Sequence, residues 1–201
     1  MRPLDPVWRF ALRVLALLAP AFLAWYLVAP WYDLAPAWLA RGYLALWREG
    51  LVSGLEVTGR LLTFVTTLEI AGEAGQRGLL TVEVNPMVYT FGAALLAALL
   101  VASRVRWPKI VLGIALLAPF QAWGIAFDVL AQILHAHPEL AASAGADGAW
   151  APVAALAYQV GSLVLPCLVP VVLWGAFARE FVTKLMDHAG RGETAAVPPP
   201  V

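Results

Sequence analysis

Charge is scarce in this chain of 201 residues. Only 13% of its side chains are charged, against about a quarter in a soluble domain. Thirteen Lys and Arg balance thirteen Asp and Glu, so there is no basic surplus to hold nucleic acid. Cysteine occurs once, at Cys167, which excludes an intrachain disulfide and any paired-cysteine motif. No phosphate-binding glycine loop, no HExxH pair and no triad spacing occurs, and there is no internal repeat. What fills the chain is apolar: 62% of its residues are hydrophobic, beyond the usual share of a water-soluble domain.

The apolar residues gather into four runs, expected to be transmembrane helices at 10–32, 86–103, 108–132 and 152–178. Each is long enough to cross a hydrocarbon core of roughly 30 Å at about 1.5 Å per residue. The scarce charges are sorted by sign. Arg2, Arg9 and Arg13 stand at the start of the first run, Arg104, Arg106 and Lys109 between the second and third, and Arg179, Lys184 and Arg191 after the fourth. The 133–151 loop has neither Lys nor Arg. By the positive-inside rule both termini and the 104–109 turn are expected in the cytoplasm, with the two larger loops outside. The chain therefore reads as a membrane all-α protein of four spans, N-in and C-in. The first run is expected to be a retained anchor and not a cleaved signal peptide. It is too long for one, and Trp25, Tyr26, Trp31 and Tyr32 form an aromatic belt at its outer end.

The 33–85 loop is the largest part outside the spans. Asp33 and Pro36 give an N-cap and first-turn signal. The segment from Trp38 to Glu49 reads as a helix with Arg41, Arg48 and Glu49 on one side. It is too short to span, and fits either a helix lying on the outer leaflet or one packed on its own neighbours. Leu61–Ile70 is rich in Val, Thr, Leu and Phe and reads as a strand. After a glycine-containing polar loop, Leu79–Val84 alternates Thr81 and Glu83 with Leu80, Val82 and Val84. An antiparallel hairpin is expected, and two strands alone are marginal. Asn85-Pro86 should end it and start the second span. The tail, 190–201, is rich in Gly, Ala and Pro and is expected to be disordered in the cytoplasm.

Few polar residues fall inside the spans. Gln121, Asp128 and Gln132 follow i, i+7, i+11 spacing and so share one helix face. Gln159 and Ser162, with Tyr158, fall in the outer half of the fourth span, at a depth that could meet Asp128. A lone carboxylate in a span must face the bundle or water. These residues form either a polar intramembrane seam that binds something, or interhelical hydrogen bonds worth about 0.6–2 kcal/mol each. Cys167 lies between Pro166 and Pro170, with no His or Arg near it in sequence to activate a thiolate. The two prolines are expected to kink the fourth span. His135, His137 and Glu139 have a broken spacing at Pro138 and read better as a solvated loop than as metal ligands. No catalytic, cofactor-binding or metal residue is assigned.

Three stretches carry a resemblance. They are Thr81-Val-Glu-Val-Asn-Pro-Met-Val-Tyr89, Leu117-Ala-Pro-Phe-Gln-Ala-Trp-Gly-Ile-Ala-Phe-Asp128 and Tyr158-Gln-Val-Gly-Ser-Leu-Val-Leu-Pro166. In their order, with the four-span layout, the chain resembles the exosortase H-associated membrane protein family over roughly residues 10–185. The resemblance implies a companion of exosortase H, a membrane cysteine transpeptidase-like enzyme that processes surface proteins bearing a C-terminal sorting tail in Gram-negative bacteria. It carries over no catalytic residue. The expectation is a non-enzymatic accessory subunit in contact with membrane lipid and a sorting enzyme. Its partner surface would be Trp38, Tyr43 and Trp47 of the outer helix with Thr81, Glu83 and Asn85 of the hairpin. The rival is a small transporter or membrane enzyme built around Asp128.

Overall fold

The computed structural model describes residues 5–71, 77–146 and 150–194. It is mostly helical, with one small sheet. Helix α1, Pro6–Tyr32, starts where the Asp5 carboxylate accepts a hydrogen bond from the Val7 N–H at 2.8 Å. It leaves most of its length unpacked, with Leu15, Leu23, Leu27 and Trp31 exposed. Helix α2, Leu34–Trp47, follows with almost no break. Asp33 does not cap it as expected. Its backbone is helical, its side chain makes no cap bond, and the carboxylate is buried instead.

Three strands come next: β1 Val52–Thr58, β2 Leu61–Ala71 and β3 Arg77–Val84, antiparallel in the order β1-β2-β3. The expected hairpin is thus joined by a strand from the same chain. The propensity signal had missed β1 because Gly54 dilutes it and a bulge between Val52 and Gly54 breaks its alternation. β1 and β2 are joined by Gly59-Arg60, where Gly59 takes φ +65°, a conformation glycine adopts without steric cost. β3 alternates as expected, with Leu80, Val82 and Val84 buried. The β2–β3 ladder breaks between Val65 and Glu69. The fully buried Thr66 hydroxyl fills the gap, donating to the Leu80 carbonyl at 2.8 Å and accepting from the Leu68 N–H at 3.2 Å.

The Asn85 side chain accepts from the Met87 N–H at 3.1 Å, so Asn85-Pro86 turns strand into helix as expected. Two short helices follow, α3 Met87–Thr90 and α4 Gly92–Ala102. Together they form an apolar helix, Met87–Ala102, that is shorter than the expected span 86–103. At about 1.5 Å per residue it covers about 24 Å. It is wrapped by its neighbours, with Leu96 and Leu100 fully buried. Helices α5, Trp107–Ala115, and α6, Ala118–Ala136, make one long rod. Helix α7, Trp150–Gln159, runs through a π turn, Val160–Val164, into α8, Leu165–Phe177. The π turn stands just before Pro166, in the stretch where the prolines lead one to expect a kink. Among the described residues, three helices are long and apolar enough to cross a membrane: Pro6–Tyr32, Trp107–Ala136 and Trp150–Phe177. Helix α9, Arg179–Thr194, reaches into the stretch expected to be tail. The rest of that stretch, like most of the loop between β2 and β3, lies outside the described residues.

Packing divides the molecule into two apolar cores. One joins α2, the buried face of the sheet, the second half of α6 and α7 through Leu44, Phe64, Val82, Ile125, Val129 and Ala154. The other gathers α1, α5 and α8 around α4 through Leu96, Leu100, Leu117 and Val169. Small residues let backbones approach, as is common between membrane helices. A Cβ on Gly92 would stand 2.5 Å from the Pro166 carbonyl oxygen.

Candidate functional site

The polar residues picked out on α6 do not stay together. Gln121 is buried toward α1, where its Oε1 accepts a hydrogen bond from the Tyr32 hydroxyl at 2.9 Å. Asp128 and Gln132 lie about 10 Å further along the rod, at about 1.5 Å per residue. They face an open cleft of about 430 Å³ between α6 and α7. The expected seam is therefore two sites. The break arises because Tyr32, at the end of α1, reaches Gln121 before any group on α7 can.

The cleft mixes polar groups with small apolar ones. Asp128, Gln132, His135, Tyr158 and Gln159 supply the polar rim, and Ala131, Ala151 and Ala155 keep the wall low. Gln132 Nε2 donates to Asp128 Oδ1 at 3.0 Å and to the Glu83 carbonyl at 3.1 Å. One amide thus ties the carboxylate to the sheet. Tyr89, buried at 2% exposure, brings its hydroxyl between Asp128 and Tyr158. Ser162 is not part of the cleft; its hydroxyl donates to the Gln159 carbonyl at 3.4 Å. Hydroxyls, amides and an imidazole around one carboxylate can bind a polar group by hydrogen bonds, with room for a small apolar side chain beside it.

Two members of this set were missed from sequence. His135 had a readable signal, since Asp128, Gln132 and His135 follow i, i+4, i+7 spacing and share one face. Tyr89 is the last residue of Asn85-Pro-Met-Val-Tyr89, the motif where the sequence leads one to expect the second span to begin. His137 goes elsewhere: its Nδ1 lies 3.2 Å from a Glu139 carboxylate oxygen. That carboxyl sits below its usual range, first through a backbone hydrogen bond within Glu139 and then through His137. Cys167 is exposed on α8 and does not line the cleft.

The expected partner surface is partly used internally. Trp38 is exposed at 56%, with the Arg41 guanidinium 5.3 Å from its ring centre. Thr81 and Glu83 are exposed along β3, and Asn85 just past its end. Tyr43 and Trp47 are half-buried against the first core. Trp47 donates from its indole N–H to the Ala144 carbonyl at 3.3 Å and meets the Trp150 ring edge-on at 4.9 Å. It staples α2 to the loop before α7, so less of it is free than expected.

The sheet is fastened to the end of α1. From the β1–β2 turn, Arg60 donates to the Tyr26 carbonyl at 3.3 Å and lies 3.8 Å over the Tyr26 ring. Behind it Asp33 is buried at 5% exposure, and one of its oxygens lacks a hydrogen-bond partner among the described residues. Burial pushes the Asp33 carboxyl up to about 6, with the Thr90 hydroxyl and Arg60 pulling the other way.

Residues 4–181 match the family model described as exosortase H-associated membrane protein. No curated protein and no solved structure matches the chain.

Proposed function

Because this chain belongs to the exosortase H-associated membrane protein family, we propose that it is a non-enzymatic accessory subunit of an exosortase-type sorting enzyme in the inner membrane of a Gram-negative bacterium. The family match over residues 4–181 carries this reading, since it covers every element from α1 to the start of α9. In this reading the chain crosses the membrane four times, with Met87–Ala102 as the short second crossing and both termini in the cytoplasm. Nine of the thirteen Lys and Arg then fall on the inner side, and Arg41, Arg48, Arg60 and Arg77 outside. The sheet stands at the outer surface, held to α1 by Arg60 and to the second crossing by Asn85.

The sheet is the contact for the enzyme or for the extended tail of its substrate. β1 and β3 are both edges, and an edge strand can pair with another extended chain. Gln132 already occupies the Glu83 carbonyl and Arg41 the Ser53 carbonyl, which leaves the rest of β3 and of β1 for a partner. The rival, a small transporter or enzyme working through Asp128, is favoured by one observation, the open cleft around that carboxylate. Photoreactive residues at positions 57, 81 and 83, in cells that contain the sorting enzyme, test the contact. Crosslinks to the enzyme or its substrate are expected. Crosslinks only to lipid or to the protein itself count against the sheet as the interface.

A further inference from the structure

At the opposite end of the helices from the cleft, α4 stops and α5 and α9 begin. A cavity of about 420 Å³ lies between these ends. Four cations line it: Arg104, Arg106, Lys109 and Arg179. Glu180 is the one carboxylate in the lining, so the balance is strongly positive. Among the described residues none of the four cations has a hydrogen-bonding or ion-pairing partner. Ser103, also in the lining, is already satisfied: its hydroxyl donates to the Leu99 carbonyl at 2.8 Å and accepts from the Trp174 indole at 2.7 Å.

The backbone adds to this. Helix α4 ends in paired bonds from the Val105 N–H to the Leu100 carbonyl, 3.0 Å, and from the Arg104 N–H to the Val101 carbonyl, 2.9 Å. That closure needs a left-handed residue after the cap, a position glycine usually fills. Here it is Arg104, with φ 56°, the only non-glycine at positive φ among the described residues. A side chain kept where glycine would fold more easily points to use of that side chain.

We propose that this cavity binds the headgroup phosphate of an anionic phospholipid. The walls favour a lipid over a soluble anion. Val105, Phe177 and Phe181 line the same space as the cations, and Trp107 beside it is exposed at 73%, as an interfacial tryptophan would be. Basic pockets between membrane helices are suited to such headgroups. The assignment needs only that α5 and α8 meet the membrane, and it stands apart from the sorting partner named above.

The test uses the full chain in mild detergent, titrated with phosphatidylglycerol, cardiolipin, phosphatidylethanolamine or inorganic phosphate. Native mass spectrometry reads binding and thermal unfolding reads stabilisation. The two anionic lipids should bind and raise the unfolding temperature, and the zwitterionic lipid and inorganic phosphate should not. Arg104→Gly removes a cation while relieving the left-handed backbone. It should leave unfolding in lipid-free detergent unchanged or raised, yet weaken phosphatidylglycerol binding about fivefold. The triple variant Arg106→Gln, Lys109→Gln, Arg179→Gln should lose on the order of a hundredfold. If the triple variant does not fold, Arg104→Gly and the lipid comparison still decide. Equal binding of phosphatidylethanolamine, wild-type affinity in Arg104→Gly, or displacement of lipid by millimolar phosphate would each overturn the lipid assignment.

Discussion

Gly124 of α6 and Gly161 of the π turn meet backbone to backbone: a Cβ on Gly161 would stand 2.6 Å from the Gly124 Cα. On its other side Gly124 is covered by the Tyr89 ring, which leaves no room for a methyl group there either. This double contact sets how close α6 and the helix running from α7 to α8 come, and it holds Tyr89 against Asp128. Neither backbone can move aside alone, so Gly161→Ala and Gly124→Ala should each destabilise by about 1–3 kcal/mol or more. Gly175 and Gly42 have nothing within 4 Å of an added Cβ. Replacing either with Ala should leave the thermal unfolding temperature level or slightly higher. Equal tolerance of all four substitutions would show that the crossing is looser than the packing implies.

Asp33 gives a pH dependence with a definite sign. Its carboxyl is at about 6 in the folded chain against 3.8 for the ordinary group. The folded state holds the proton between these values and the unfolded state does not. Stability is therefore full below about pH 4, falls as pH rises toward 6, and stays low above it. The difference attributable to Asp33 is about 3 kcal/mol. Asp33→Asn removes the charge and keeps a polar group facing Thr90. The variant should be more stable than wild type at pH 7.5 and near it at pH 4, by thermal unfolding in detergent. A wild-type advantage at pH 7.5 would contradict burial as the dominant cause.

Topology is open to reporter fusions. Fusions after Gly75 and after Ala144 should report the periplasm, and fusions after Trp107 and at the C-terminus the cytoplasm. A cytoplasmic signal at Gly75 would remove the four-span reading, because the sheet would then lie on the inner side.

Asp128 and Cys167 should behave oppositely. Asp128→Leu removes the carboxylate that holds the Gln132 amide, the group that in turn bonds the Glu83 carbonyl of β3, and it should lower accumulation of the protein or capture of its partner several-fold. Cys167→Ala changes an exposed, unpaired side chain and should leave both near wild type. Loss of sorting in Cys167→Ala at normal protein level would speak for a thiol mechanism and against an accessory role.

Much of this architecture was legible in the residues. Apolar run length placed three helices that can cross a membrane, strict alternation from Leu80 to Val84 placed β3, and Asn85-Pro86 marked the passage into helix. Each of these signals is local: hydrophobic periodicity and a capping side chain act within a few residues of one another. The third strand, the burial of Asp33, the split of Gln121 from Asp128 and the arrival of Tyr89 and His135 at the cleft were decided by tertiary contacts. β1 was decided by its pairing with β2, and for Asp33 and Gln121 residues distant in sequence supplied the partners, Thr90 and Arg60 for the first and Tyr32 for the second. Sequence determined which stretches prefer lipid, which bend, and where charge gathers. The choice of partner for each polar group waited on which helices came close, and that was set by glycine contacts such as Gly124 with Gly161, because backbone approach depends on both surfaces at once.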